Sequence, residues 1–329
     1  FASPLVGALV LANTLLGGSG MLGVPHALSV AGWALGLALI AVSGFCSAFG
    51  CHLLQCTARR MGTAPCNFYS VTTAVAPTWT WLIDEAVLVK CFGVATSYLI
   101  IIGDLAPEGL RFFGEHSLQR WQAIAGGFVV AGGLACSRNL AALRFTAMAS
   151  ILIVAWTAVL VFLFAVAPSD AFNPCEDSAP AALSAAAPAV SPMTKGVAAG
   201  LEGTCPSVEV LPCHCAQFQP VAVTSPLKLG KALPVFIFGF TCHQNIFTIC
   251  NEVRDASRGR VDGMIASAYV FSGLAFAAVA FVGYATYGDA VMPDMLQGYP
   301  QDSSAVQLTC LLFALLAAFS YLMQVHPAR

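Results

Sequence analysis

The sequence predicts an all-α polytopic membrane protein, and composition, window length and charge placement each point there. Of 329 residues, 58% are hydrophobic and 9% charged, against about 25% charged in a typical soluble domain. Eight apolar windows lie at residues 5–28, 32–57, 79–103, 119–137, 144–167, 230–251, 263–287 and 305–325. Each is near the ~20 residues that a helix needs to cross ~30 Å of hydrocarbon. The 14 Lys and Arg divide unevenly between the two sides that these windows define, as the cytosolic bias of basic residues requires.

The first window contains "NTLLGGSGMLGVPHAL", in which Gly17, Gly18, Ser19 and Gly20 are consecutive and Gly23 and Pro25 follow. Glycine costs a helix ~1 kcal/mol relative to alanine and an interior proline about 3. Freed backbone groups are tolerated at membrane depth only where they line a cavity or are buried in protein. An unwound interruption is therefore expected here. The second window ends at Arg59 and Arg60. The third begins with Asp84 and Glu85 and carries Lys90 deeper; an ion pair that keeps Lys90 tolerable is the structural expectation, and gating or proton relay by either acid is the functional one. The fourth, "RWQAIAGGFVVAGGLACSR", is short and glycine-rich, as close helix packing favours. Without it Arg254, Arg258, Arg260 and Arg329 would fall on the non-cytosolic side. The fifth, seventh and eighth follow from length and apolarity alone. The sixth reads "LPVFIFGFTCHQNIFTIC" and sets Thr241, Cys242, His243, Gln244 and Asn245 at mid-depth, which is costly unless they meet a cavity or polar partners.

Eight windows with a cytosolic N-terminus place Arg59, Arg60, Arg138, Arg144, Arg254, Arg258, Arg260 and Arg329 inside. Arg111, Arg120, Lys195, Lys228 and Lys231 fall outside, with Lys90 inside a span. Residues 1–167 then hold five spans, 168–228 form an outer loop, and 229–329 hold three more. The loop's "SAPAALSAAAPAVSP" is too poor in large apolar groups to build a core and is expected to be mobile. It carries Cys175, Cys205, Cys213 and Cys215. A disulfide joining Cys175 to Cys205 or Cys213 suits an oxidising compartment; zinc at "CHC" with Cys205 is the alternative, against which adjacent ligands count. The first span begins almost at Phe1 and the last ends at "MQVHPAR", so a preceding cytosolic tail and further spans are expected.

The interrupted spans are the first and the sixth. Transporters built of two inverted five-helix halves place discontinuous helices at such corresponding positions, with substrate between them. Half-helix N-termini attract an anionic group, and unwound carbonyls ligate a cation. An amino acid carries both charges. No P-loop, HExxH, GxSxG or basic stripe occurs, so neither an enzyme nor a nucleic-acid partner is expected, and no cofactor beyond a co-transported ion.

The stretch "NTLLGGSGMLGVPHALSVAGWALG" resembles the first-span signature of the amino acid/auxin permease family, which includes sodium-coupled neutral, proton-coupled and vacuolar amino acid transporters. "FGVATSYLIIIGDLAP" resembles that family's third span, "FGFTCHQNIFTICNEVRDASRGR" its sixth span and following loop, and "HPAR" the end of its eighth. The resemblance implies a leucine-transporter-type inverted repeat of about eleven spans, eight of them in this chain. It implies that amides near Gly17, Gly18, Ser19 and Gly20 hold the substrate carboxylate and that Phe240, Thr241, Cys242 and His243 line the amine and side-chain side. A coupling cation would lie between the first break and Ser320, for which a hydroxyl bonded to its own i−4 carbonyl is the alternative. One extra residue separates Asn13 from "GSGMLGVP", so either Asn13 or Thr14 occupies the family's asparagine position. An imidazole ordinarily titrates near physiological pH, and His243 is read either as a coupling group or as a hydrogen-bonded structural histidine. The function implied is secondary active transport of neutral amino acids, coupled to H⁺ or Na⁺, by a monomer in the plasma membrane or an acidic organelle. An amino-acid sensor with little flux is the alternative.

Overall fold

The computed structural model describes residues 3–17, 20–62, 66–114, 117–135, 143–166, 226–253 and 257–325, which are helical with short connections. Helix α1 (Pro4–Leu16) starts where the Ser3 hydroxyl accepts from the Val6 N–H at 3.4 Å, with Pro4 in its first turn. It stops at Gly17, whose N–H donates to the Asn13 carbonyl at 2.8 Å. The next helix, α2 (Gly20–Ala31), is inclined to α1 by 54°. The first window is thus interrupted at the glycine run.

Helix α3 (Trp33–Met61) lies between Gly32 and Gly62, both with positive φ, and carries Arg59 and Arg60 in its last turn. Cations there oppose the negative end of the helix. A short helix, α4 (Phe68–Val75), opens with a capping box between Asn67 and Ser70. It precedes α5 (Thr80–Leu110), which at 31 residues outruns its window. Then come α6 (Arg120–Ala135) and α7 (Leu143–Val166). The sixth window is divided into α8 (Pro226–Gly239) and α9 (His243–Glu252), and α10 (Arg258–Tyr287) and α11 (Ser304–Val325) complete the described chain.

Among the described residues, six helical segments are long and apolar enough to cross a bilayer, and α1 with α2 makes a seventh if the bent pair is one span. The expected eighth differs at the fourth window. The described part of α6 has 16 residues, about 24 Å at 1.5 Å per residue, and the window's remaining residues after Ala135 lie outside the described ones. The loop predicted at 168–228 lies outside the described residues except at its end, where α8 already begins at Pro226. Cys175, Cys205 and Cys213 lie outside them too.

The broken first span sits at the centre. Leu11, Leu15, Leu16, Met21 and Leu28 are fully buried, α1 packing on α7 and α10, and α2 on α8 and α10. A helix apolar all round and buried all round belongs in the middle of a bundle. Helices α3 and α5 instead expose Phe45, Phe49, Trp81 and Phe92, the apolar outer surface expected of a membrane protein. The largest interhelical contact joins α5 to α11. It depends on Gly109, where a Cβ would lie 2.5 and 2.6 Å from the backbone N and Cα of Leu311. The connection 288–303 folds back over α2: His26 Nδ1 donates to the Val291 carbonyl at 3.0 Å, and Met295, Leu296 and Tyr299 are buried.

Candidate functional site

The break in the sixth span follows from its hydrogen bonding. Between α8 and α9 the amides of Phe240 and Thr241 turn back three residues, to Ile237 O at 3.3 Å and Phe238 O at 3.1 Å. The carbonyls of Phe240 and Thr241 are released from the helical ladder and need other donors. Phe240 O accepts from Ser47 Oγ at 2.5 Å and from the Tyr269 hydroxyl at 3.3 Å. Thr241 O accepts from Lys90 Nζ at 3.4 Å. The thiols of Cys242 and Cys51 lie 3.0 and 3.3 Å from the Tyr269 hydroxyl. Helices α3, α5 and α10 therefore each supply a polar side chain to the interruption.

The first break is different. Asn13 Oδ1 and Ser320 Oγ are buried and have no hydrogen-bond partner among the described residues, so Ser320 does not bond its own i−4 carbonyl. The two oxygens converge on Gly17: a Cβ there would overlap Ser320 Oγ and lie 3.1 Å from Asn13 Oδ1. Thr14 Oγ1 is already engaged with Leu11 O at 2.7 Å. Of the two residues left open by sequence, Asn13 is the one whose side-chain oxygen approaches Gly17 from the same side as Ser320 Oγ. One turn along α11, Gln324 Oε1 accepts from Gln244 Nε2 of α9 at 3.0 Å. The Tyr98 hydroxyl lies beside Ser320 and Gln324.

Both breaks open onto one cavity of about 900 Å³, at the upper end of the size range of small-molecule sites. The first span contributes Thr14, Gly20 and Gly23, α5 contributes Glu85, Lys90, Ser97 and Tyr98, the sixth span Gly239 and Thr241, and α11 Gln324. The expected ion pair of Lys90 with Asp84 or Glu85 is not formed among the described residues; the ammonium bonds Thr241 O instead. The reason is helical geometry. Side chains meet at spacings of three and four residues, whereas these acids precede Lys90 by six and five.

Of the site residues predicted from sequence, the structure brings Thr14, Gly20 and Thr241 to the cavity and groups Asn13, Gly17 and Ser320 beside it. Phe240, Cys242 and His243 turn away from it, towards α3 and α10. The Phe240 ring stacks on Tyr269 at 6.3 Å and meets Phe276 edge-on at 5.2 Å. His243 Nε2 lies over Gly50, where a Cβ would approach to 2.6 Å. Gly18 and Ser19 lie outside the described residues. Sequence reasoning missed Tyr98 and Gln324 as lining residues. Gln324 was within reach, since it follows Ser320 by four residues and so shares its helix face.

The family model described as "Transmembrane amino acid transporter protein" matches residues 2–180 and 216–329. Vacuolar amino acid transporter 5 of Schizosaccharomyces pombe is 30% identical over 97% of this chain and 66% of its own length. Vacuolar amino acid transporter 6 of Saccharomyces cerevisiae is 26% identical over 100% of this chain and 65% of its own. Sodium-coupled neutral amino acid transporter 7 of Bos taurus is 30% identical over 29% of this chain and 20% of its length. The chain thus spans just under two thirds of the two fungal relatives it matches throughout.

Proposed function

Because this multi-pass membrane chain belongs to the transmembrane amino acid transporter family, the group its motifs resemble, we propose that it is part of a secondary active transporter. It moves neutral amino acids by alternating access, driven by H⁺ or Na⁺. The observation that carries this reading is the single cavity of about 900 Å³ onto which both interrupted spans open. A leucine-transporter-type repeat with α6 as a true fourth span and a cytosolic N-terminus accommodates the basic residues. Functioning as a monomer is part of the same reading.

The substrate carboxylate sits at the N-terminal end of α2, near Gly20, where free amides and the positive end of the helix dipole favour an anion. The coupling cation sits between Asn13 Oδ1 and Ser320 Oγ, two buried oxygens without a hydrogen-bond partner among the described residues, each of which costs about 1–3 kcal/mol unless met. The names of the fungal relatives favour a vacuole-like membrane over the plasma membrane. The test is uptake of labelled neutral amino acids into proteoliposomes under an imposed Na⁺ gradient, an imposed pH gradient, or neither. Concentrative uptake that collapses with one gradient supports transport and names the ion. Saturable binding without accumulation under any gradient favours the sensor reading.

A further inference from the structure

We propose that Lys90 and the main-chain carbonyl of Thr241 together form the receptor for the two charges of an α-amino acid, with Lys90 as the carboxylate anchor. The inference rests on the transporter reading and deepens it, since it names a residue that selects amino acids over uncharged or purely cationic analogues.

Glu85 and Lys90 are the charged side chains that line the cavity. The Lys90 ammonium has three N–H donors and gives one of them to Thr241 O at 3.4 Å, beyond the usual 2.7–3.2 Å of an N–H···O bond. The contact is therefore a weak one, between a full charge and a neutral carbonyl, in a setting where a charge without a counterion is costly. A carboxylate is the partner such an ammonium lacks. Charge-assisted pairs are roughly twice as strong as neutral hydrogen bonds, and the low dielectric of a largely apolar cavity strengthens them further.

Within an α-amino acid the ammonium nitrogen lies roughly 3 Å from its own carboxylate oxygens, so a ligand that bonds both groups must part the 3.4 Å contact between Lys90 Nζ and Thr241 O. An amino acid that enters between them exchanges one weak contact for two charge-assisted ones: its carboxylate takes Lys90, and its ammonium takes the Thr241 carbonyl. Glu85 stands five residues away, about 7.5 Å along the helix axis, so it does not compete for the same ammonium. Gly20, at the start of α2, lines the same cavity.

The experiment compares L-alanine, L-leucine and L-glutamine with their carboxamides, which keep the ammonium and lose the negative charge. Binding is measured on the full chain in proteoliposomes for wild type, Lys90→Met and Lys90→Gln; the glutamine keeps a donor for Thr241 O without the charge. The expected result is that wild type prefers each amino acid to its carboxamide at least tenfold. Both variants lose at least tenfold in affinity for the amino acids and stay within twofold for the carboxamides. Equal loss for acid and carboxamide would show that Lys90 only holds the Thr241 carbonyl, and no loss for either would show that it does not meet the ligand; each overturns the proposal. Wild-type protein that binds none of the amino acids would defeat the transporter reading itself, an outcome separate from either of these.

Discussion

Replacing Gly17 by alanine adds one methyl group at the point where Asn13 Oδ1 and Ser320 Oγ converge. The backbone there has φ −71°, which any residue adopts, so the whole effect is steric. The new Cβ would overlap Ser320 Oγ and lie 2.7 Å from Asn13 O and 3.1 Å from Asn13 Oδ1. Overpacking of a well-filled site costs typically ~1–3 kcal/mol, which is about 5- to 150-fold in an equilibrium constant. The methyl group also occupies the space in which a cation would meet the two oxygens. Gradient-driven uptake in proteoliposomes, with the ion concentration varied, should show at least a tenfold loss of apparent cation affinity, and thermal unfolding should show reduced stability. Ser320→Ala makes the opposite change in packing but removes one ligand, so it should lose cation dependence without losing stability. The double variant Gly17→Ala/Ser320→Gly should regain stability and not coupling. Wild-type cation dependence in Gly17→Ala protein would refute the assignment of the cation to this point.

Gly109→Ala sets a Cβ against the Leu311 backbone, which cannot rotate aside as a side chain can; a loss of ~1–3 kcal/mol should appear as a lowered unfolding temperature, whereas Gly263→Ala, with open space around it, should be neutral or stabilising. Ser47→Ala leaves Phe240 O with the Tyr269 hydroxyl alone and should cost about 1 kcal/mol, and Tyr269→Phe, which removes the group shared by Ser47, Cys51, Cys242 and Phe240 O, should cost more, about 1–3 kcal/mol, read as chemical denaturation midpoints. Burial pushes the Asp294 carboxyl, in the connection between α10 and α11, up to about 6, with the nearby Asp104 adding to the rise and the Leu296 N–H opposing it. The native state then takes up a proton at higher pH than the unfolded chain, so this contribution is full below about pH 4 and is lost as pH rises through about 6. Thermal stability measured from pH 4 to 7 should fall with that slope in wild type and flatten in Asp294→Asn.

What the sequence made legible follows from the size of the energies involved. Four consecutive small residues at positions 17–20 predict a break because each glycine adds to the helix penalty, and α1 does stop at Leu16. The polar run 241–245 predicts a second break for the same kind of reason, and α8 does stop at Gly239. The directions of the side chains around that break are set by tertiary packing, which no window records. Phe240, Cys242 and His243 face α3 and α10 because glycines at 44 and 50 let the chain approach there, and only Thr241 is left to line the cavity. Proximity in sequence suggests a pair for Lys90 with Asp84 or Glu85, but spacings of six and five do not share one helix face. Helix α4 is too short to register as a window; its capping box at Asn67 and Ser70 was the readable signal.

The two interruptions differ in how their oxygens are met, and that difference bears on where the proposed transporter would hold each of its two ligands. At the sixth-span break the Phe240 and Thr241 carbonyls already have donors, from Ser47, Tyr269 and Lys90. A bare cation arriving at Thr241 O would have to displace a like charge and leave the Lys90 ammonium without any partner, an arrangement that costs several kcal/mol away from water. A zwitterion supplies the carboxylate for Lys90 together with the ammonium for the carbonyl, so it alone can make the exchange without stranding a charge. At the first-span break Asn13 Oδ1 and Ser320 Oγ have no hydrogen-bond partner among the described residues, and on the proposed reading a cation meets them. An amino acid does not fit there, because the point where the two oxygens meet will not take even one methyl group. On the proposed reading, charge keeps the ion from one break and size keeps the amino acid from the other.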